Sequence, residues 1–229
     1  MATFMRCMQR FIVLLSFVFA VAVCTSAQEV PRNPEPPADS TKKANSRPAD
    51  VVADAPEPFH GASVEKMSGH CVILQTEAGV IEIEMIPEVA PESVRSFLNL
   101  AATGALDTTT FSRVVQGFVI QGGNLSTGEK WSAALSKRMS RKLPDEPGLI
   151  KHERGIVSMA RPDEPNSATT NFFILVGDGR HLDGKFSAFG RVTKGIEVAD
   201  AINQAPREGE KPNKPVRITR ALVAPCKKE

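Results

Sequence analysis

The chain has 229 residues, with 28 basic and 26 acidic side chains and a formal charge of +2. Charges of both signs alternate, and no basic run is interleaved with aromatics, which argues against a nucleic-acid partner. His60, His70, His152 and His181 have no ligand spacing with one another or with the cysteines, so neither a metal nor another cofactor is expected.

The first 27 residues, MATFMRCMQRFIVLLSFVFAVAVCTSA, carry Arg6 and Arg10, then an apolar run from Phe11 to Val23, then small residues. That layout predicts a signal peptide, and hence an exported chain, periplasmic or secreted. An uncleaved anchor or lipidation at Cys24 would instead hold it at a membrane. Val23 makes a poor residue before a lipidated cysteine. Residues 28–67 hold seven prolines between Gln28 and Phe59 and few aliphatic side chains. Such a composition cannot offset its ordering entropy, and it predicts a proline-rich disordered linker. Residues 68–229 then fit one domain.

Within that domain CVILQT (71–76) and VIEIEM (80–85) flank a Glu77-Ala78-Gly79 turn. Ile81, Ile83 and Met85 alternate with Glu82 and Glu84, the period of a half-buried strand. PESVRSFLNLAATG (91–104) reads as a helix with Pro91 in its first turn and Gly104 at its end. TTFSRVV (109–115) and FVIQGG (118–123) read as two strands about Gln116-Gly117. Trp131 and the basic residues Lys137, Arg138, Arg141 and Lys142 fall in a stretch, 125–145, that reads as a solvated loop. GIVSMA (155–160), NFFILV (171–176) and SAFGRV (187–192) are further strands. GIEVADAINQ (195–204) is a second amphipathic helix, and VRITRALV (216–223) a closing strand. The expected fold is mainly β with two helices, a closed antiparallel barrel capped by helices.

Cys71 and Cys226 stand at opposite ends of the domain. In an exported protein such a pair invites a disulfide, and two free thiols are the alternative.

Arg113 is out of place in FSRVVQGFVIQGGN (111–124). A charge among apolar residues is costly to bury without a partner. In strand geometry it shares a face with Phe111 and Val115, while beyond the turn Val119 and Gln121 share one face and Phe118 and Ile120 the other. Arg, Gln, Phe and Val together suggest a shallow apolar binding site with a few polar contacts. An arginine snorkelling to water from an edge strand is the alternative.

These residues resemble the F-x-R-V-x-x-x-F-x-x-Q-G-G-D signature of cyclophilin-type peptidyl-prolyl isomerases. GVIEIEMIPEVAPESVRSFLNL (79–100), KHERGIVSMAR (151–161), TTNFFILV (169–176) and HLDGKFSAFGRV (181–192) resemble further blocks of that family in the same order, over 71–223. The resemblance implies an eight-stranded barrel and an isomerase of X-Pro bonds that acts on proline-containing polypeptides and assists exported proteins to fold. A proline-peptide binding module or chaperone with weak catalysis is the alternative function, and a monomer the expected state. By resemblance Arg113 and Gln121 are catalytic, and Phe118, Val119, Phe173 and Leu182 line the proline pocket. Ala160 and Asn171 border the groove, the backbone near Arg161 pairs with an extended peptide, and His181 sits at the rim. In such barrels the first and last strands are neighbours, which brings Cys71 and Cys226 together. Ser112, Val119, Asn124, Asn171, His181 and Phe186 depart from the commonest family pattern. His181 stands where many members carry the tryptophan that contacts cyclosporin, so this ligand is expected to bind with reduced affinity.

Overall fold

A computed structural model describes residues 57–226. The predicted signal peptide, and the predicted linker up to residue 56, lie outside the described residues. The last part of that linker is not a linker. Phe59, Ala62 and Met67 are buried, and Val64–Met67 forms a short helix, α1, capped by the Ser63 side chain. The folded domain therefore begins before residue 68. The predicted solvated loop supplies the reason: Arg138 and Arg141 both reach the Glu57 carboxylate, and Arg138 also bonds the Ser96 carbonyl and hydroxyl.

The strands of the main sheet are β1 (His70–Thr76), β2 (Gly79–Met85), β3 (Arg113–Val115), β4 (Val119–Gly122), β5 (Ile156–Met159), β6 (Phe172–Leu175), β7 (Ala188–Lys194) and, last in the chain, Ile218–Pro225. Two tiny strands, β8 (Arg207–Glu208) and β9 (Lys211–Pro212), form a separate hairpin, which makes the closing strand β10. The helices after α1 are α2 (Pro91–Ala102), α3 (Ala133–Met139) and α4 (Ile196–Gln204). Four α-helices among the described residues replace the expected two. α1 and α3 are only four and seven residues long, too brief for an apolar pattern to show a period.

The eight strands are antiparallel neighbours in the order β10-β1-β2-β7-β5-β6-β4-β3. The sheet curls into a half-barrel; the closed barrel expected from the sequence is not formed. Its edge strands share no ladder, and an isolated bridge between Thr110 and Arg217 joins the segments beside them. The edge strand β3 is only three residues long. The chain ahead of it turns at Thr108, whose φ is 65°, and the outward N–H of Val114 donates at 2.8 Å to the Glu210 carbonyl of the β8–β9 turn. That hairpin occupies the edge where a further strand would pair.

Strand alternation sends one set of side chains into the main core and the other to a second, smaller cluster. Ile120, Phe172, Ile174, Val157 and Phe189 belong to the main core, where Phe97 of α2 meets Phe172 and Phe189 at 5.0 Å between centroids. Val119, Phe173, Leu175, Ile156 and Ala188 form the second cluster on the opposite face. This two-sided burial explains why NFFILV reads as an unbroken apolar run. Cys71 and Cys226 are joined by a disulfide, with Cα atoms 4.9 Å apart, beside the pairing of His70 with Pro225.

Candidate active site

The second cluster is the floor of a pocket of about 130 Å³ lined by Arg113, Phe118, Val119, Gln121, Ala160, Arg161, Phe173, Leu182 and Phe186. Register builds it. Arg113 pairs with Gln121, Gln121 with Phe173, and Phe173 with Ser158, so one row of side chains crosses β3, β4, β6 and β5. Phe111 does not join Arg113 on this face. It lies outside β3, is fully buried in the main core, and meets Phe172 edge-on. Phe118, which alternation alone puts opposite Val119, sits in the turn before β4 and so reaches the same pocket.

That turn is fixed from behind. Asn203, buried on α4, accepts from Gly117 N at 2.8 Å and donates to the Val115 and Val119 carbonyls at 2.8 and 3.0 Å. Gly117 suits the turn because its φ of 66° lies in the left-handed region that residues with a Cβ rarely adopt. One amide thereby locks the connection between the strand that carries Arg113 and the strand that carries Gln121.

Arg113 has its charge partner within the protein. Nε and Nη2 donate to the two carboxylate oxygens of Glu210 at 2.7 and 3.0 Å, and Nη1 donates to Gln121 Oε1 at 3.1 Å. The Arg113 hydrogen bonds, and then its charge, hold the Glu210 carboxyl below its ordinary pKa. The Arg161 side chain serves the scaffold: it bonds the Pro162, Asp163 and Lys185 carbonyls, pairs with Asp145 at 3.1 Å, and lies 4.9 Å over the Phe186 ring. Asn171 precedes β6 and is not among the residues that line this pocket; its carbonyl accepts from Ala160 N at 2.9 Å. His181 is exposed at the rim, its ring 5.2 Å from that of Phe118.

Beneath the floor lies a chain of Asp183, His152 and Ser158. His152 Nδ1 is 3.1 Å from Asp183 Oδ1, and Nε2 is 3.2 Å from Ser158 Oγ. The residue types are those of a hydrolytic triad, but Ser158 is 0% exposed, so no substrate reaches it. The network instead ties β5 to the turn carrying Leu182. Burial, the largest influence, lowers the His152 pKa, against an opposing pull from Asp183. The unfolded chain thus takes up a proton that the folded one refuses, and stability is lost as pH falls below the ordinary histidine value of about 6.5. The thermal midpoint should fall between about pH 7 and pH 5. His152→Gln should be less stable at neutral pH with a flatter slope; an unchanged slope would assign the pH effect elsewhere.

Residues 71–223 match the family described as cyclophilin type peptidyl-prolyl cis-trans isomerase/CLD. The chain belongs to the cyclophilin family. The Dickeya dadantii peptidyl-prolyl cis-trans isomerase A is 39% identical over 175 residues, which cover 72% of this chain and 90% of that protein. The Arabidopsis thaliana isomerase CYP23 is 39% identical over 144 residues, 60% of this chain and 63% of the relative. Among solved structures, a Cryptosporidium parvum cyclophilin in the presence of the dipeptide Ala-Pro superposes with a TM-score of 0.60 at 28% identity, covering 67% of this chain and 98% of that one. The family is one of peptidyl-prolyl cis-trans isomerases, enzymes that rotate X-Pro bonds.

Proposed function

We propose that this cyclophilin rotates X-Pro bonds of exported polypeptides in the Arg113 pocket and so assists their folding. The obstacle is the partial double bond of the amide, a barrier of about 18–20 kcal/mol. Uncatalysed exchange takes tens to hundreds of seconds. No bond need be made or broken. The site has only to favour the twisted amide over both planar forms.

Twisting returns the lone pair to the prolyl nitrogen, which becomes an acceptor. Arg113 donates to it, Gln121 orients Arg113 and the substrate carbonyl, and the proline ring rests on Phe118, Val119, Phe173 and Leu182. The observation that carries this reading is the fixed Arg113–Gln121 contact at the wall of an apolar pocket. Proline-limited refolding of a test protein, and cis-to-trans exchange in a short peptide, should both accelerate with catalytic amounts of the full chain. Stoichiometric binding without acceleration would favour a proline-peptide binding module.

Export rests on the basic-then-apolar N-terminal run and on the disulfide, a bond that persists in oxidising compartments. Recovery of a mature chain shortened near residue 27 from the exported fraction would support it; a full-length chain confined to the cytosol would not.

Cyclosporin is a proposed ligand of reduced affinity, because His181 presents a smaller ring than tryptophan. His181→Trp should tighten cyclosporin binding about tenfold and leave peptide turnover within twofold, a gain of the size one buried aromatic contact provides. No gain on titration would place the limit at another position, such as Phe186 or Val119.

A further inference from the structure

Glu210 lies outside every sequence block that carries the family resemblance, yet it makes the most extensive contact to the residue on which the proposed reaction depends. Its backbone is not free to wander. Its carbonyl accepts from Val114 N at 2.8 Å, and it sits in the tight turn between β8 and β9, where Glu208 pairs with Lys211 and Gly209 has φ of 57°. Arg207 bonds the Gln116 side chain and fastens the same hairpin to the β3–β4 turn. The carboxylate therefore meets Arg113 from a fixed base.

A guanidinium has five N–H groups. Glu210 takes one on Nε and one on Nη2, and Gln121 takes one on Nη1. One proton on each Nη is left, on a side chain that lines the pocket. A carboxylate held side-on fixes the plane of the fork, which a single contact from Gln121 cannot do. The donors needed by a substrate are not consumed by the pair; they are aimed by it.

We propose that Glu210 is a positioning residue for isomerisation, a carboxylate carried by the β8–β9 hairpin that sets the plane of the Arg113 guanidinium against the prolyl amide. This rests on the assignment of turnover to the Arg113 pocket. Because the reaction makes and breaks no covalent bond, its rate depends on where a few donors point, and small misplacements are costly.

The test uses the full chain and a short X-Pro peptide. Glu210→Ala should lower kcat about tenfold with KM within twofold, since the proline pocket is untouched. Glu210→Gln keeps the length and one acceptor, and should fall between Ala and wild type. Glu208→Gln removes a charge from the same hairpin without touching Arg113, and should leave turnover unchanged. By NMR, the Arg113 Nε–H should exchange with water faster in Glu210→Ala than in wild type. Thermal midpoints should agree within a few degrees, which separates positioning from loss of fold. Turnover within twofold of wild type in both Glu210 variants would overturn the proposal. So would a rise in turnover, which would make Glu210 a competitor for Arg113. Arg113→Ala runs alongside: if it too keeps full turnover, the site assignment has failed; if it alone is inactive, only the role of Glu210 has.

Discussion

Arg113→Ala is expected to lower kcat/KM for X-Pro rotation by about two to three orders of magnitude, the usual loss on removing one preorganised donor. The fold should survive. The Arg113 side chain is 44% exposed and its carboxylate partner 56% exposed, and an ion pair so wet contributes little to stability. Proline-peptide affinity should change little, because Phe118, Val119, Phe173 and Leu182 remain. Lysine at the same position should restore only part of the rate. It keeps the charge but cannot bridge Glu210 and Gln121 with a planar fork. Turnover near the wild-type rate in Arg113→Ala, with the fold verified by circular dichroism, would remove the electrostatic role.

Loss of the disulfide should be the largest stability effect. Cys71 and Cys226 are 155 positions apart, and cross-linking so long a loop restricts the unfolded chain by about 5 kcal/mol in the chain-entropy account. Residual structure in the unfolded state reduces that, so about 2–4 kcal/mol is the expected loss. For a domain of this size that is a fall of about 10 °C in the thermal midpoint. Cys71 is 1% exposed, so Cys71→Ala/Cys226→Ala is a better test than serine, which would bury a hydroxyl. Reduced wild type should unfold near the double variant. Equal midpoints with and without reductant would show that the bond adds nothing. Peptide turnover below the transition should be the same in all three, because the bond lies at the β1–β10 edge of the sheet and β3, which carries Arg113, at the opposite edge.

Elements with a strong local period were legible in the sequence. Ile81, Ile83 and Met85 alternate and are buried, and Pro91 does open α2. The pocket was legible through the signature block, because neighbouring strands place Arg113, Gln121 and Phe173 in one row. What stayed hidden depends on partners distant in sequence. Arg141 lies in a run that reads as a solvated loop, and the carboxylate that organises it is 84 positions away. Glu210 is 97 positions from Arg113, in a hairpin of two-residue strands so charged that it reads as surface. Asn203 is a polar residue near the end of an amphipathic helix, and nothing local tells that its amide will hold a turn 86 positions earlier. Closure was misjudged for the same reason: the outward Val114 N–H is taken by the carbonyl of Glu210, a residue distant in sequence.

The pairing of β1 with β10 has a consequence for how the molecule comes into being. The first strand of the sheet finds one of its two neighbours only in residues 218–225. A chain emerging from its N-terminus therefore cannot complete the sheet until residues 218–225 are available. Contacts of such sequence separation form late and slowly, since a long loop must be closed before any pairing rewards it. During synthesis β1 and β2 can meet as a hairpin, but the other edge of β1 stays unpaired until residues 218–225 have been made. Until that segment arrives, the open edge and the uncovered apolar face are the places where a wrong partner can attach.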